Sequence, residues 1–237
     1  MTAGKSGFGD GTAGLDVMEA APRYNAAIEA DIVRAIGAPA TTPTVLDVGS
    51  GDGEFARRLR ACGYNVSCVE PSAAHARSLA ADGFDVVADM SEIPVGAGFD
   101  AAIMINVLEH IEHDIDILRA IFDRLRPGGR VFVWVPAFEV LYSDHDHLLG
   151  HYRRYRRQGL ERAVTLAGFH VETTAYRDSL GWVAALGWRL RPMRGDAMVS
   201  KDAVAVYDRW LYPVSAVLDR AVGAAFGKNA ICTGTKP

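Results

Sequence analysis

Residues 45–53, Val-Leu-Asp-Val-Gly-Ser-Gly-Asp-Gly, narrow the fold of this chain more than any other stretch. Val45, Leu46 and Val48 suit a short strand covered on both faces, whereas Gly49, Gly51 and Gly53 suit a turn that takes unusual dihedrals and lets a ligand approach the backbone. A helix is predicted from about Glu54, with its unpaired N–H groups and positive end facing whatever rests on the glycines. A dinucleotide fingerprint requires G-x-G-x-x-G. The spacing here is Asp47-x-Gly49-x-Gly51-x-Gly53, which disfavours NAD and FAD.

An acidic residue at a strand end followed by alternating glycines resembles the first motif of the class I S-adenosylmethionine-dependent methyltransferases. The resemblance implies S-adenosyl-L-methionine as cofactor, held around Asp47, Gly49, Ser50 and Gly51, with Asp47 orienting the turn and reaching the methionine amino group. After a predicted helix over 54–61, a second strand over 66–70 ends in Glu70 and Pro71. In a doubly wound sheet the ligand lies over the carboxyl ends of the strands, so a carboxylate ending strand two can accept hydrogen bonds from both ribose hydroxyls. Glu70 stands 17 residues beyond Gly53, near the roughly 20-residue offset this geometry requires.

The resemblance continues along the chain. A helix to about residue 81 leads to a third strand over 84–88, followed by Asp89 and Met90. In the family an acid at this point receives the adenine amino group, which implies that role for Asp89 and a place against the ring for Met90. A fourth, strongly apolar strand over 99–105 is followed by Asn106, Val107, Leu108, Glu109 and His110. Many small-molecule methyltransferases carry a Leu-Glu-His triplet there, whose backbone flanks the methionine part of the cofactor. The stretch departs from the Asn/Asp-Pro-Pro-aromatic motif of enzymes that methylate amino groups in nucleic acids. A helix over 114–125, stopped by Pro127, Gly128 and Gly129, precedes a fifth strand over 130–135. Strands alternating with helices indicate a parallel sheet with right-handed crossovers and helices on both faces.

Length and charge narrow the class further. The 237 residues suffice for one α/β domain with a sizeable insertion. A net charge of −4 argues against a general nucleic-acid binder. The sequence has no apolar run of membrane-spanning length, and no signal peptide is expected. Cys62, Cys68 and Cys232 lack metal-ligand spacing and read as reduced residues of a cytoplasmic protein. Residues 1–14 are rich in Gly, Thr, Ala and Ser and are expected to be flexible. Over 15–40 the pattern becomes helical, with Pro22 separating a short helix from a second one whose Ile28, Ile32 and Ile36 form a stripe. In similar methyltransferases an N-terminal helix covers the cofactor. That implies a place for Arg23, Tyr24 and Asn25 at the pocket, with Tyr24 in the helix's packed face as the other reading.

The 20 residues after Pro136 concentrate histidine, tyrosine, aspartate and arginine above the carboxyl ends of the strands, where a substrate should bind. His145, His147 and His151, with His110 beside the cofactor, are the candidate general bases, because imidazole takes a proton near neutrality. Capping and hydrogen bonding within the loop are the competing roles. A metal on these histidines with Asp144 and Asp146 is not expected, because alternating residues diverge on an extended backbone and methyl transfer from a sulfonium needs none. Four arginines fall at positions 153, 154, 156 and 157. Most are expected on a solvated face, with one or two free to turn inward onto a substrate carboxylate or phosphate.

A helix over 158–167 and a sixth strand over 169–176 follow. The family then implies a seventh, antiparallel strand, which 228–235 fits after a gap of some 50 residues. Residues 178–227 are therefore an insertion at mostly helical spacing, carrying Trp182, Trp188, Tyr207, Trp210 and Tyr212, with Arg189, Arg191 and Arg194 nearby. It is expected to form a lid; an apolar pocket wall, a homodimer interface and a peripheral membrane contact all stay open for its aromatics.

The expected architecture is α/β, a doubly wound, mostly parallel seven-stranded sheet of order 3-2-1-4-5-7-6, its last strand antiparallel and preceded by the helical insertion. Residues 15–237 form a single domain on this reading. The expected reaction is methyl transfer to a small organic acceptor, foremost a hydroxyl of a partly apolar metabolite with or without an acidic group, because a hydroxyl needs help from a base. N- or C-methylation of a small molecule or lipid-linked intermediate, and a non-catalytic cofactor-binding protein of the same fold, are the alternatives.

Overall fold

The computed structural model describes residues 20–38, 43–189 and 200–237. The expected flexible start, the short helix before Pro22, Arg191 and Arg194 fall outside them, as do the side chains of Trp188 and Arg189.

Seven strands form one sheet in the order β3-β2-β1-β4-β5-β7-β6. They are β1 (Thr44–Val48), β2 (Asn65–Val69), β3 (Asp85–Val87), β4 (Phe99–Ile105), β5 (Leu125–Pro136), β6 (His170–Arg177) and β7 (Asn229–Thr235). β1 pairs in parallel with β2 and β4, while β7 runs antiparallel to both β5 and β6. The order reverses at β1, so the turn after it opens at the point where ligands bind in such sheets.

Side chains on successive strand residues alternate between the faces and feed two cores. On one face Val45, Ile103, Phe132 and Trp134 meet Ile28 and Ile32 of α1 (Pro22–Ile36), Leu59 of α2 (Glu54–Ala61) and Leu79 of α3 (Ala73–Ala81). On the other, Leu46, Met104, Val131 and Val133 meet Leu118 and Ile121 of α4 (Asp114–Arg124). The isoleucine stripe of α1 is thus the seam of its packing, with Ile28 and Ile32 fully buried.

β5 begins five residues earlier than its apolar pattern predicts. Leu125 pairs with Phe99, the register shifts, and Arg130 then pairs with Ala101, so Pro127, Gly128 and Gly129 form an irregularity inside the strand. After β5 the polar segment contains two further helices, α5 (Asp144–Leu148) and α6 (Arg157–Leu166). The insertion between β6 and β7 contains α7 (Ser179–Arg189), α8 (Lys201–Val206), a π-helical turn (Tyr207–Leu211) and α9 (Tyr212–Val222).

Candidate cofactor and acceptor site

The turn after β1 folds back onto β2: Gly49 and Ser50 both donate to the carbonyl of Val69, at 2.8 and 3.3 Å. Gly49, Gly51 and Gly53 have φ of 75°, 55° and 88°. A Cβ on Gly49 would lie 2.5 Å from Cγ2 of Val107, so this glycine lets the loop after β4 close on the turn. Asp47 points into this region, buried and with Oδ2 lacking a hydrogen-bond partner. Burial pushes its pKa up to about 7. A buried carboxylate with one oxygen left without a partner suits a cationic group brought by a ligand.

Glu70, just past β2 and buried, accepts the Gly51 N–H at 2.7 Å and the Ser72 N–H at 2.8 Å. It clamps the glycine turn to the end of the second strand, and a carboxylate with about four lone-pair sites retains room for further donors. Pro71 is exposed beside it. Past β3, Asp89 is exposed and accepts the Ser91 N–H at 2.8 Å, which lowers its pKa, while Met90 is buried behind it.

At the end of β4, Asn106 takes a left-handed backbone, φ 54°, and donates its N–H to the Trp134 carbonyl at 2.8 Å. Asparagine tolerates this region better than other non-glycine residues. Val107 and Leu108 are buried beyond it. Tyr24 belongs to the packed face of α1. Its ring meets Trp134 and Tyr212 edge-on, with centroids 6.0 and 5.1 Å apart, and its hydroxyl accepts from Nδ2 of Asn229 at 2.6 Å.

The four histidines divide. α5 turns Asp144, His145 and His147 outward, and all three are exposed. The segment is helical and not extended, and of its His and Asp side chains Asp146 is the one that is buried. His151 instead turns inward and meets His110 edge-to-face, with centroids 4.5 Å apart. Nδ1 of His151 lies 2.8 Å from Oδ1 of Asp146. Asp146 is fully buried and receives Nε and Nη2 of Arg154 at 2.8 and 2.9 Å. His151, Arg154 and the Ser143 N–H hold its carboxyl well below the usual range. Beside the two imidazoles, Glu109 is buried with neither carboxylate oxygen hydrogen-bonded, and burial pushes its pKa up to about 8. Burial and the neighbouring His151 press His110 down to about 4.

Arg154 is the arginine that turns inward, but its partner is Asp146. Arg153 pairs with Asp114 at 3.0 Å, and Arg156 is exposed. The Leu-Glu-His triplet signals a backbone role and carries no sign that the Glu109 side chain is buried without a partner. The Asp146–Arg154 pair has only a weak sequence signal, an eight-residue spacing.

The insertion's aromatics also divide. Trp182 packs on Phe138, which follows β5, with centroids 6.0 Å apart. Tyr207 donates to the buried carboxylate of Asp178, and Tyr212 packs on Tyr24. Trp210 faces outward, 65% exposed, and Val206, Val214 and Val217 of the same segment are also exposed. Among the described residues no helix is long and apolar enough to cross a membrane.

A family model described as a methyltransferase domain matches residues 20–174. An uncharacterised methyltransferase of Mycolicibacterium gilvum is 31% identical over 157 residues, 61% of this chain and 62% of the relative. The chain thus spans somewhat less than two thirds of that relative's length. One of a Mycobacterium species (strain JLS) is 33% identical over 176 residues, 68% of this chain and 69% of the relative. A solved methyltransferase from Archaeoglobus fulgidus, dependent on S-adenosylmethionine, superposes with a TM-score of 0.60 at 17% identity, covering 90% of this chain and 94% of that one.

Proposed function

Because the chain belongs to the class I S-adenosylmethionine-dependent methyltransferases, we propose that it transfers the sulfonium methyl group to a hydroxyl of a small, partly apolar organic acceptor. The observation that carries the acceptor chemistry is the grouping of His110 and His151 with the unpaired Glu109 at the carboxyl end of β4. The reaction is an in-line displacement at a carbon already activated by positive sulfur, so the protein's tasks are alignment, desolvation and removal of the acceptor's proton.

On this reading Asp47 takes the methionine ammonium, Glu70 the ribose hydroxyls, Asp89 the adenine amino group, and the backbone of Asn106, Val107 and Leu108 the methionine chain. His151, whose Nδ1 is engaged by Asp146, presents Nε2 as the proton acceptor, with the ring fixed by its carboxylate partner. His145 and His147 stand outside the chemistry. The insertion walls the acceptor pocket through Trp182, which reaches Phe138.

The test is incubation of the protein with methyl-tritiated cofactor and hydroxylated small molecules, followed by mass spectrometry of the labelled product. O-methylated product and a His151→Ala variant that loses 10²–10⁴-fold in kcat with unchanged cofactor affinity support the reading. Labelling confined to amines, or a His151→Ala variant with full turnover, overturns it.

A further inference from the structure

Glu109, His110 and His151 each offer a ligand atom, and these atoms lie within 4.8 Å of one another. Glu109 is 1% exposed, and neither of its carboxylate oxygens has a hydrogen-bond partner. A carboxylate that is withdrawn from water and left unpaired calls for a cation or a proton. The imidazoles are prepared in a specific way. Asp146 engages Nδ1 of His151 at 2.8 Å, leaving Nε2 for another partner, and the ring of His110 stands edge-to-face against that of His151. In metal sites the ring nitrogen that does not touch the ion is held by a carboxylate or a backbone carbonyl in just this manner, which fixes tautomer and ring plane. Asp146 is itself locked by Arg154 at 2.8 and 2.9 Å and by the Ser143 N–H at 2.9 Å.

We propose that Glu109, His110 and His151 form a binding site for a divalent first-row cation. Two imidazoles and one carboxylate suit zinc and its neighbours better than magnesium or calcium, which favour all-oxygen shells. Three protein ligands leave a coordination position open for water or an acceptor oxygen. His110 is only partly buried, so solvent reaches the site from its side. Resting on the hydroxyl reading above, the bound ion replaces His151 as the agent that ionises the acceptor: the hydroxyl proton leaves to solvent and the metal-bound oxygen attacks the methyl carbon. The carbon–sulfur bond then breaks, and the sulfur departs as a neutral thioether.

The experiment uses the full chain stripped with a chelator and titrated with Co²⁺, then Zn²⁺, with no cofactor or acceptor present. One equivalent of cobalt should bind, with visible absorption characteristic of a low-coordinate nitrogen–oxygen site, and zinc should displace it. Glu109→Gln and His151→Ala should abolish that absorption, and Asp146→Asn should weaken binding roughly 10–100-fold while sparing the ligands. Absence of the absorption and of retained zinc in the wild-type protein overturns the proposal even if a variant fails to fold. An unchanged cobalt spectrum in folded Glu109→Gln and His151→Ala does the same. Calorimetry with S-adenosylhomocysteine on the same samples tests the cofactor site separately.

Discussion

Asp208 caps a helix that begins 186 residues earlier, at Pro22: its carboxylate accepts the Tyr24 N–H at 2.8 Å and the Arg23 N–H at 3.1 Å. The residue preceding α1 is Ala21, which has no side chain to cap it, and Pro22 has no N–H to satisfy. The insertion therefore supplies what the local sequence lacks. It holds α1 through a buried charge at the helix's positive end, next to the stretch where Asn25 approaches Glu54.

Asp208→Ala should accordingly lower stability by about 1–2 kcal/mol, the range for losing a helix cap. Denaturant melts measure it. Asp208→Asn, which keeps an acceptor, should lose less. Equal stability of Asp208→Ala and the wild type would detach the insertion from the support of α1.

Asp47 gives the ligand-free protein a specific pH dependence. Its folded pKa of about 7 lies above its unfolded value, so the folded state binds more protons in that interval. The stability it confers is present in full below about pH 4 and is lost as pH rises through about 7. Asp47→Asn should flatten this part of the stability–pH curve. A cationic cofactor group at Asp47 should also expel the proton, so binding of S-adenosylhomocysteine below pH 7 should release protons to buffer. Calorimetry in two buffers of different ionisation enthalpy detects that release, and identical heats would separate Asp47 from the cofactor's ammonium.

Asn106 carries backbone strain where β4 meets the candidate site. Asn106→Val should lose about 1–3 kcal/mol, because a β-branched residue is poorly accommodated at φ 54°. Asn106→Gly should retain the fold. Thermal melts of the two variants measure the difference, and a Val variant as stable as the Gly variant would show that the loop relaxes at no cost.

Much of the fold was legible because its signals are local. The Asp-Gly-Gly-Gly turn, the isoleucine stripe of α1 and the apolar run of β4 each declare a conformation within a few residues, and the glycine-to-acid offset located Glu70. The early start of β5 was not legible, since Arg126, Pro127, Gly128 and Gly129 carry a turn composition and pair only because Phe99 meets Leu125. Nor was the capping of α1 by Asp208 or the inward turn of His151. Both depend on contacts between distant segments, and nothing in the periodicity distinguishes His151 from the exposed His145 and His147. Glu109 was hidden differently: an acid in a strand-end triplet gives no sign of whether its carboxylate finds a partner.

Glu70 is where the sequence reading and the geometry bear most directly on the cofactor. Its two oxygens hold the N–H groups of Gly51 and Ser72. The carboxylate proposed to receive the ribose hydroxyls thus also sets the shape of the glycine turn. Glu70→Ala should therefore have two effects, loosening the turn and weakening S-adenosylhomocysteine binding by about 1–3 kcal/mol, the range for charged-acceptor hydrogen bonds. Glu70→Gln separates them in part, because the amide keeps one acceptor oxygen for the turn but meets the second N–H with a donor. Gln should fall between Glu and Ala in affinity while staying nearer Glu in thermal stability. The 2′-deoxy and 3′-deoxy cofactor analogues isolate the ribose contribution. Each should bind the wild-type protein more weakly than the parent compound, and the penalty should shrink in Glu70→Ala, where the acceptor is already gone. If the analogues bind the wild type as tightly as the parent, Glu70 serves only to fold the turn.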